Sequence, residues 1–349
     1  MFGVYRTILA LLVLVGHLHG PYQLGTYAVF GFYVLSGYLM THIMHTRYGY
    51  HLSGQKKFLI NRILRIHPPY YAAILLSVIM LMIFGTSVTD LVSNIYLPSD
   101  TKEWLQNLFI IFPHETNPRL SPPAWALTIE LFYYLMICLG ISQSLSRTWI
   151  WFIGSVLYTV YIYFTADYWG DRYFSIAACS LPFSIGSIVF YYKSQVFNRL
   201  RSLRLDKPLP WFFLMVLNFL IAQRLSLYFG IGFYTNLLIL TCGMVSLVHL
   251  DSRYLSKWLD DKIGQFSYPI YLVHWQCGAM VYAISEGHLA PEFLNAKGIS
   301  FLMISLLLTV GISFLMIQLI DKPIQQLRDK IKSRLIKAPV LNQRRSDQI

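Results

Sequence analysis

Apolar residues in this chain arrive in runs near 20 residues, separated by short segments where charge and proline gather. At 1.5 Å per residue, such a run crosses a hydrocarbon core of about 30 Å as a helix. Ten runs are read: Gly3–His19, Tyr27–His45, Pro68–Gly85, Pro123–Ile141, Trp149–Ala166, Tyr173–Tyr192, Trp211–Gln223, Phe233–Leu250, Phe266–Ser285 and Ile299–Ile320. The seventh is the weakest, because Gln223 and Arg224 interrupt the run that follows Phe212. The first run is kept as a helix rather than a cleaved leader, since no small-residue cleavage site follows it. The pattern predicts an all-α polytopic membrane protein of about ten transmembrane helices.

Composition agrees. Of 349 residues 56% are hydrophobic and 13% charged, about half the charge of a typical soluble domain. The net charge of +12 would suit nucleic acid only as one soluble basic face, whereas here it sits in short segments between apolar runs. Under the ten-run reading, 23 of the 28 Lys and Arg fall on the side of both termini. Cytoplasmic segments carry that excess, so both termini are expected in the cytoplasm. Residues 1–325 then form one transmembrane unit and 326–349 a basic cytoplasmic tail near anionic lipid. Chemistry, if any, falls to the helices themselves.

Ionisable groups inside spans are costly and mark functional candidates. Arg6 and His17 stand 11 residues apart, about three turns, so they share one face of the first helix. Separately, Arg6 also reads as a snorkelling topology signal and His17 as a hydrogen-bonded core histidine. Arg62 and Arg65 project together if helical and suit phosphate groups through bidentate bonds, although positive-inside charge alone also accounts for them. Glu130 lies about two turns inside the fourth span, after the helix-starting Pro122-Pro123. A carboxylate there is paired, protonated or useful. Trp125 reads as an interfacial anchor. His274 and Tyr271 share a face of the ninth span. His42 and His45 lack acidic or thiol partners, so no metal is expected.

Together these segments resemble the acyltransferase-3 family of integral-membrane acyltransferases. Arg6-x10-His17 is similar to the family's first-helix signature. Phe32-Tyr-Val-Leu-Ser-Gly-Tyr-Leu resembles its Phe-Phe-x-x-Ser-Gly-Phe-Leu motif, and the Arg62/Arg65 run its arginine motif. Trp125-Ala-Leu-Thr-Ile-Glu-Leu-Phe-Tyr resembles Trp-Ser-Leu-x-x-Glu-x-x-Phe-Tyr, and Ser267–His274 resembles Ser-Tyr-x-x-Tyr-Leu-x-His. The chain departs from common members at Ala28-Val-Phe30, at Asn61 before Arg62, and at Ala126.

The resemblance implies transfer of an acyl group, most often acetyl from acetyl-CoA, to a hydroxyl of an envelope glycan or lipid-linked sugar. The location implied is a bacterial inner membrane, with membrane lipid around the protein and no nucleic-acid partner. In that frame Arg6, Arg62 and Arg65 bind the donor's phosphates, and His17 acts as general base. Glu130 orients His17 or another donor, while Ser36, Trp125, Tyr271 and His274 line the substrate cavity. A transporter or flippase of lipid-linked saccharides is the rival reading. It would need no acyl-CoA and would leave its substrate unmodified.

Overall fold

The computed structural model describes residues 2–20, 23–92, 95–114, 116–248, 256–293 and 295–337. Every regular element among them is helical. In chain order they are α1 (Gly3–Leu18), α2 (Gln23–Ile43), α3 (Leu52–Phe84), α4 (Thr86–Leu91), α5 (Thr101–Phe109) and α6 (Ala124–Cys138). Then follow α7 (Leu145–Thr165), α8 (Ser180–Ser202), α9 (Pro208–Arg224), α10 (Ile231–Val248), α11 (Lys257–Ile284), α12 (Ala296–Met316) and α13 (Lys322–Lys337). A π-helical turn, Ile317–Asp321, joins α12 to α13, and another, Met44–Tyr48, extends α2. Helix starts follow local chemistry: Ser144, Ser256 and Asn295 accept first-turn N–H groups of α7, α11 and α12.

The expected ten spans are corrected by these elements. Among the described residues, five helices are long and apolar enough to cross a bilayer: Leu24–Tyr48, Leu52–Phe84, Leu145–Thr165, Ile231–Val248 and Ala296–Asp329. Three further apolar helices, Gly3–Leu18, Ala124–Cys138 and Pro208–Arg224, have only 15 to 17 residues. They rise about 23–26 Å, short of a hydrocarbon core of about 30 Å. The other two, α8 and α11, are long but polar at one end: α8 closes with Lys193, Arg199 and Arg201, and α11 opens with Lys257, Asp260, Asp261 and Lys262. Hydropathy alone cannot separate a lipid-crossing helix from one buried by other helices, and α1 is the clearest case. Its Leu9, Ala10, Val13, Leu14 and Leu18 are at most 1% exposed. The chain is a multi-pass membrane protein with fewer lipid-length helices than its apolar runs suggest. Met1, positions 249 and 250 of the eighth run, and 338–349 of the expected tail lie outside the described residues. With the even span count gone, parity no longer supports a shared side for the termini.

α1 lies inside, packed on α2, α11 and α12, while α2 also meets α6, α8 and α10. Outward faces belong to helices such as α7 and α12, where Leu157, Phe164 and Leu307 are about two-thirds exposed or more. Such side chains suit lipid. Since lipid tails are as apolar as leucine, inner helices associate through close packing rather than exclusion of water. Glycine makes that packing possible. A Cβ at Gly37 would stand 2.1 Å from the Phe183 carbonyl oxygen, and one at Gly186 would stand 2.0 Å from that of Val34. These reciprocal contacts make α2 and α8 an antiparallel pair in near backbone contact.

The α1–α11 pair runs parallel. Asp260 Oδ2 and Oδ1 accept from Gly3 N and Val4 N, each at 3.0 Å. About four turns further on, Nδ1 of His17 lies 2.9 Å from Nε2 of His274. The numbering offset is 257 for both Gly3–Asp260 and His17–His274, so the register does not slip between them. Between the two lies a close approach at Gly264, whose Cβ would stand 2.5 Å from the Gly3 Cα.

Gly186→Ala should force α2 and α8 apart, lowering the thermal midpoint in detergent and the monodisperse fraction. Gly154→Ala on α7, whose Cβ would meet nothing within 4 Å, should match or exceed the parent, by up to about 1 kcal/mol for glycine replacement in a helix. Equal behaviour of the two variants would contradict the close pairing.

Candidate active site: an arginine cleft and a histidine pair

α3 runs 33 residues, about 50 Å, and starts 16 residues before the expected span. It passes through Pro68 and Pro69 without ending. Arg62 and Arg65 therefore belong to a continuous helix and project from one face, three residues apart. They meet Arg6 of α1 in a cleft between α1, α2, α3, α6 and α11. Ser36, Glu130 and Tyr271 line the same cleft. Six residues proposed from sequence thus share one cavity.

The guanidinium groups at the basic end of this cleft are incompletely hydrogen-bonded. Arg62 is 7% exposed, with its guanidinium 5.6 Å from the Phe58 ring centroid. The Nε atoms of Arg6 and Arg62 are buried without a hydrogen-bond partner. A buried donor without an acceptor costs about 1–3 kcal/mol, more where charge is involved. Such an arrangement suits a ligand that brings acceptors and negative charge. Among the described residues, no group of three His, Cys, Asp or Glu side chains is placed to hold a metal ion.

Further along the cleft the chemistry becomes hydroxyl-rich. Ser36 Oγ donates to Glu130 Oε1 at 2.9 Å, and the Tyr134 hydroxyl donates to the same oxygen. Tyr134 stands one turn beyond Glu130, a spacing that could have flagged it from sequence. Glu130 is thereby engaged by Ser36 and Tyr134, and the direct pairing with His17 is not made. The Tyr268 hydroxyl donates to the Ile66 carbonyl at 2.9 Å, tying α11 to α3 beside Arg65. The Tyr271 hydroxyl donates to the Pro123 carbonyl at 3.2 Å, just before α6.

His17 and His274 sit behind Tyr271 rather than in the cleft lining. Their hydrogen bonds fix the tautomers. His274 Nδ1 faces two carbonyl oxygens, those of Tyr271 at 2.9 Å and Ile270 at 3.2 Å. Carbonyls only accept, so Nδ1 carries the hydrogen and the neutral ring offers Nε2 as acceptor. His17 Nδ1 must then donate to it, which leaves the lone pair of a neutral His17 on Nε2. That atom faces Gly25 near the start of α2, where a Cβ would stand 3.8 Å away. The Trp275 ring stacks on His17 with centroids 4.8 Å apart. Val29, one turn from Gly25, lines the cleft, so the histidine pair and the cleft border successive turns of α2. Tyr271 joins them: its ring lines the cleft and its carbonyl holds His274.

Trp125 is placed elsewhere, against Tyr173 and Phe174 at centroid distances of 5.1 and 4.6 Å. Two residues had no sequence signal. Asp260 fixes the start of α1, and nothing in Lys257-Trp-Leu-Asp-Asp-Lys distinguishes it from Asp261. Arg328 of α13 donates from Nε to Asn61 Oδ1 at 2.7 Å, although its segment reads as a tail.

No curated protein matches the chain, and no solved structure does. A family model described as an acyltransferase domain matches residues 3–318, which include every cleft and histidine-pair residue described above. The chain therefore belongs to the acyltransferase-3 family of integral-membrane acyltransferases.

Proposed function

We propose that the protein is an O-acyltransferase of a bacterial cytoplasmic membrane. It moves an acyl group, acetyl in the simplest case, from acyl-CoA to a hydroxyl of an envelope polysaccharide such as lipopolysaccharide, or of its lipid-linked sugar precursor. The observation that carries this reading is the His17 Nε2 lone pair, set by the His274 hydrogen bond and placed one helical turn of α2 beyond an arginine-rich cleft.

In this reading Arg6, Arg62 and Arg65 hold the donor's phosphates, and their end of the bundle faces the cytoplasm, in keeping with the Lys/Arg bias. Ser36, Tyr134 and Tyr271 flank the donor's arm, with Glu130 orienting the first two hydroxyls. The donor supplies the acyl group as a thioester. His17 Nε2 takes the proton from the acceptor hydroxyl as its oxygen bonds to the thioester carbonyl carbon. The C–S bond then breaks, and the proton passes from His17 to the departing sulfur, giving an ester and a thiol. His274 holds the imidazole in its working tautomer, the role a third group plays in a hydrolase triad. Trp125, packed on Tyr173 and Phe174, supports the wall of the acceptor site.

His17→Ala should lower the turnover number by about 10²–10⁴, the span general-base catalysis contributes. The readout is the acyl mass increment on envelope glycans from cells holding native or variant protein at equal abundance. An unchanged increment in His17→Ala removes His17 from the mechanism. Absence of any increment with the native protein favours transport of the sugar over its modification.

Arg65→Ala should raise KM for acyl-CoA about tenfold or more while changing kcat by only a few fold, because it acts on donor binding. A fall in kcat at constant KM would contradict that assignment.

A further inference from the structure

Four guanidinium groups gather at one end of the bundle, and only three line the cleft. The fourth, Arg328, comes from α13 and is seated by two bonds: Nε to Asn61 Oδ1 at 2.7 Å, and Nη1 to Gln325 Oε1 at 2.9 Å. Neither bond uses Nη2. Asn61 is itself held, donating from Nδ2 to the Tyr48 hydroxyl at the end of the π-helical turn. The chain Tyr48–Asn61–Arg328 therefore fixes a long, flexible side chain against α3, on the residue just before Arg62.

This placement brings like charges close together. Arg62 and Arg65 both lie within the field of Arg328, and like charges brought together repel. Asp321 acts on both Arg65 and Arg328, and Asp329 acts on Arg328. Asp329 is also engaged by Gln325 Nε2, at 3.0 Å to both carboxylate oxygens. Glu130 and Asp260 act on Arg6 through their charge, while their hydrogen bonds come from Ser36 and Tyr134 and from the α1 amides. Guanidinium donors thus remain at two separate places, Nε of Arg6 and Arg62 inside the cleft and Nη2 of Arg328 outside its lining. A matching ligand carries anionic groups at two places as well. CoA does so: a diphosphate joins its pantetheine arm to the nucleoside, and a separate phosphate sits on the ribose.

We infer that Arg328, clamped by Asn61, forms a second anion subsite at the rim of the arginine cleft and takes the ribose phosphate of the CoA donor. This rests on the reading of the cleft as the donor site. The diphosphate stays with Arg6, Arg62 and Arg65, and Arg328 discriminates between CoA and donors lacking the extra phosphate. Asn61 is a positioning residue for it.

The test is direct binding of CoA and of 3′-dephospho-CoA to the full-length protein in detergent, by calorimetry. The native protein should bind CoA about tenfold more tightly, as one charge-assisted interaction implies. Arg328→Gln should lose that preference by weakening CoA alone, leaving 3′-dephospho-CoA binding as an internal check that the cleft is intact. Asn61→Ala should reduce the preference in the same direction. A preference that survives in Arg328→Gln, or equal weakening of both ligands, overturns the subsite. If Arg65→Ala loses both ligands while Arg328→Gln keeps the preference, the donor-site reading stands and this inference falls. If the native protein binds neither ligand, both fall.

Discussion

The parallel pairing of α1 with α11 is the constraint from which the site follows. It is fixed at both ends. A carboxylate, Asp260, accepts the first two N–H groups of α1, where the helix leaves donors unsatisfied and its dipole favours negative charge. About four turns later the same offset of 257 brings His17 to His274. Gly3 and Gly264 allow the backbones to approach so closely that a side chain at either position would overlap the partner. A slip of one residue would rotate α1 by about 100°, removing Arg6 from the cleft and separating the two imidazoles together. One register therefore sets both the charged end and the histidine end.

The arginine cleft carries a different constraint. Buried guanidinium groups are costly, and the adjacent acids take their hydrogen bonds elsewhere: Glu130 from two hydroxyls, Asp260 from backbone amides. The buried Nε donors of Arg6 and Arg62 are left for something that is not part of the chain. Hydrophobic packing alone would select against such an arrangement, and breaking local rules of this kind is what a functional site does. The apolar walls contributed by Val29, Phe32, Leu39 and Ile66 keep the local dielectric low, which strengthens any charge interaction made there.

Much of this site was legible in the sequence and much of the architecture was not. Arg6 and His17 both meet α11, as their 11-residue spacing implied, since a shared face survives any error in helix ends. Arg62 and Arg65 needed only the helix, which begins at Leu52 where charge had suggested a loop. The span count failed for a physical reason. An apolar run says that a helix avoids water, and α1 avoids it inside protein, with a length of only 16 residues. The Ser36–Glu130 and His17–His274 contacts are tertiary facts, separated by 94 and 257 residues, and no local pattern encodes them. Arg328 was hidden because a basic amphipathic end reads as a tail until another helix, here α3, is placed against it.

The central claim is that the α1–α11 register presents His17 as a neutral imidazole with its lone pair on Nε2. Nitrogen NMR on protein carrying ¹⁵N-labelled histidine tests it most directly, with the two resonances assigned by loss in His17→Gln and His274→Gln. Both rings should be neutral and protonated on Nδ1, with coupled shifts such that each substitution moves the other signal. A proton on His17 Nε2, or a charged His17 ring at neutral pH, would contradict the relay and with it the proposed base.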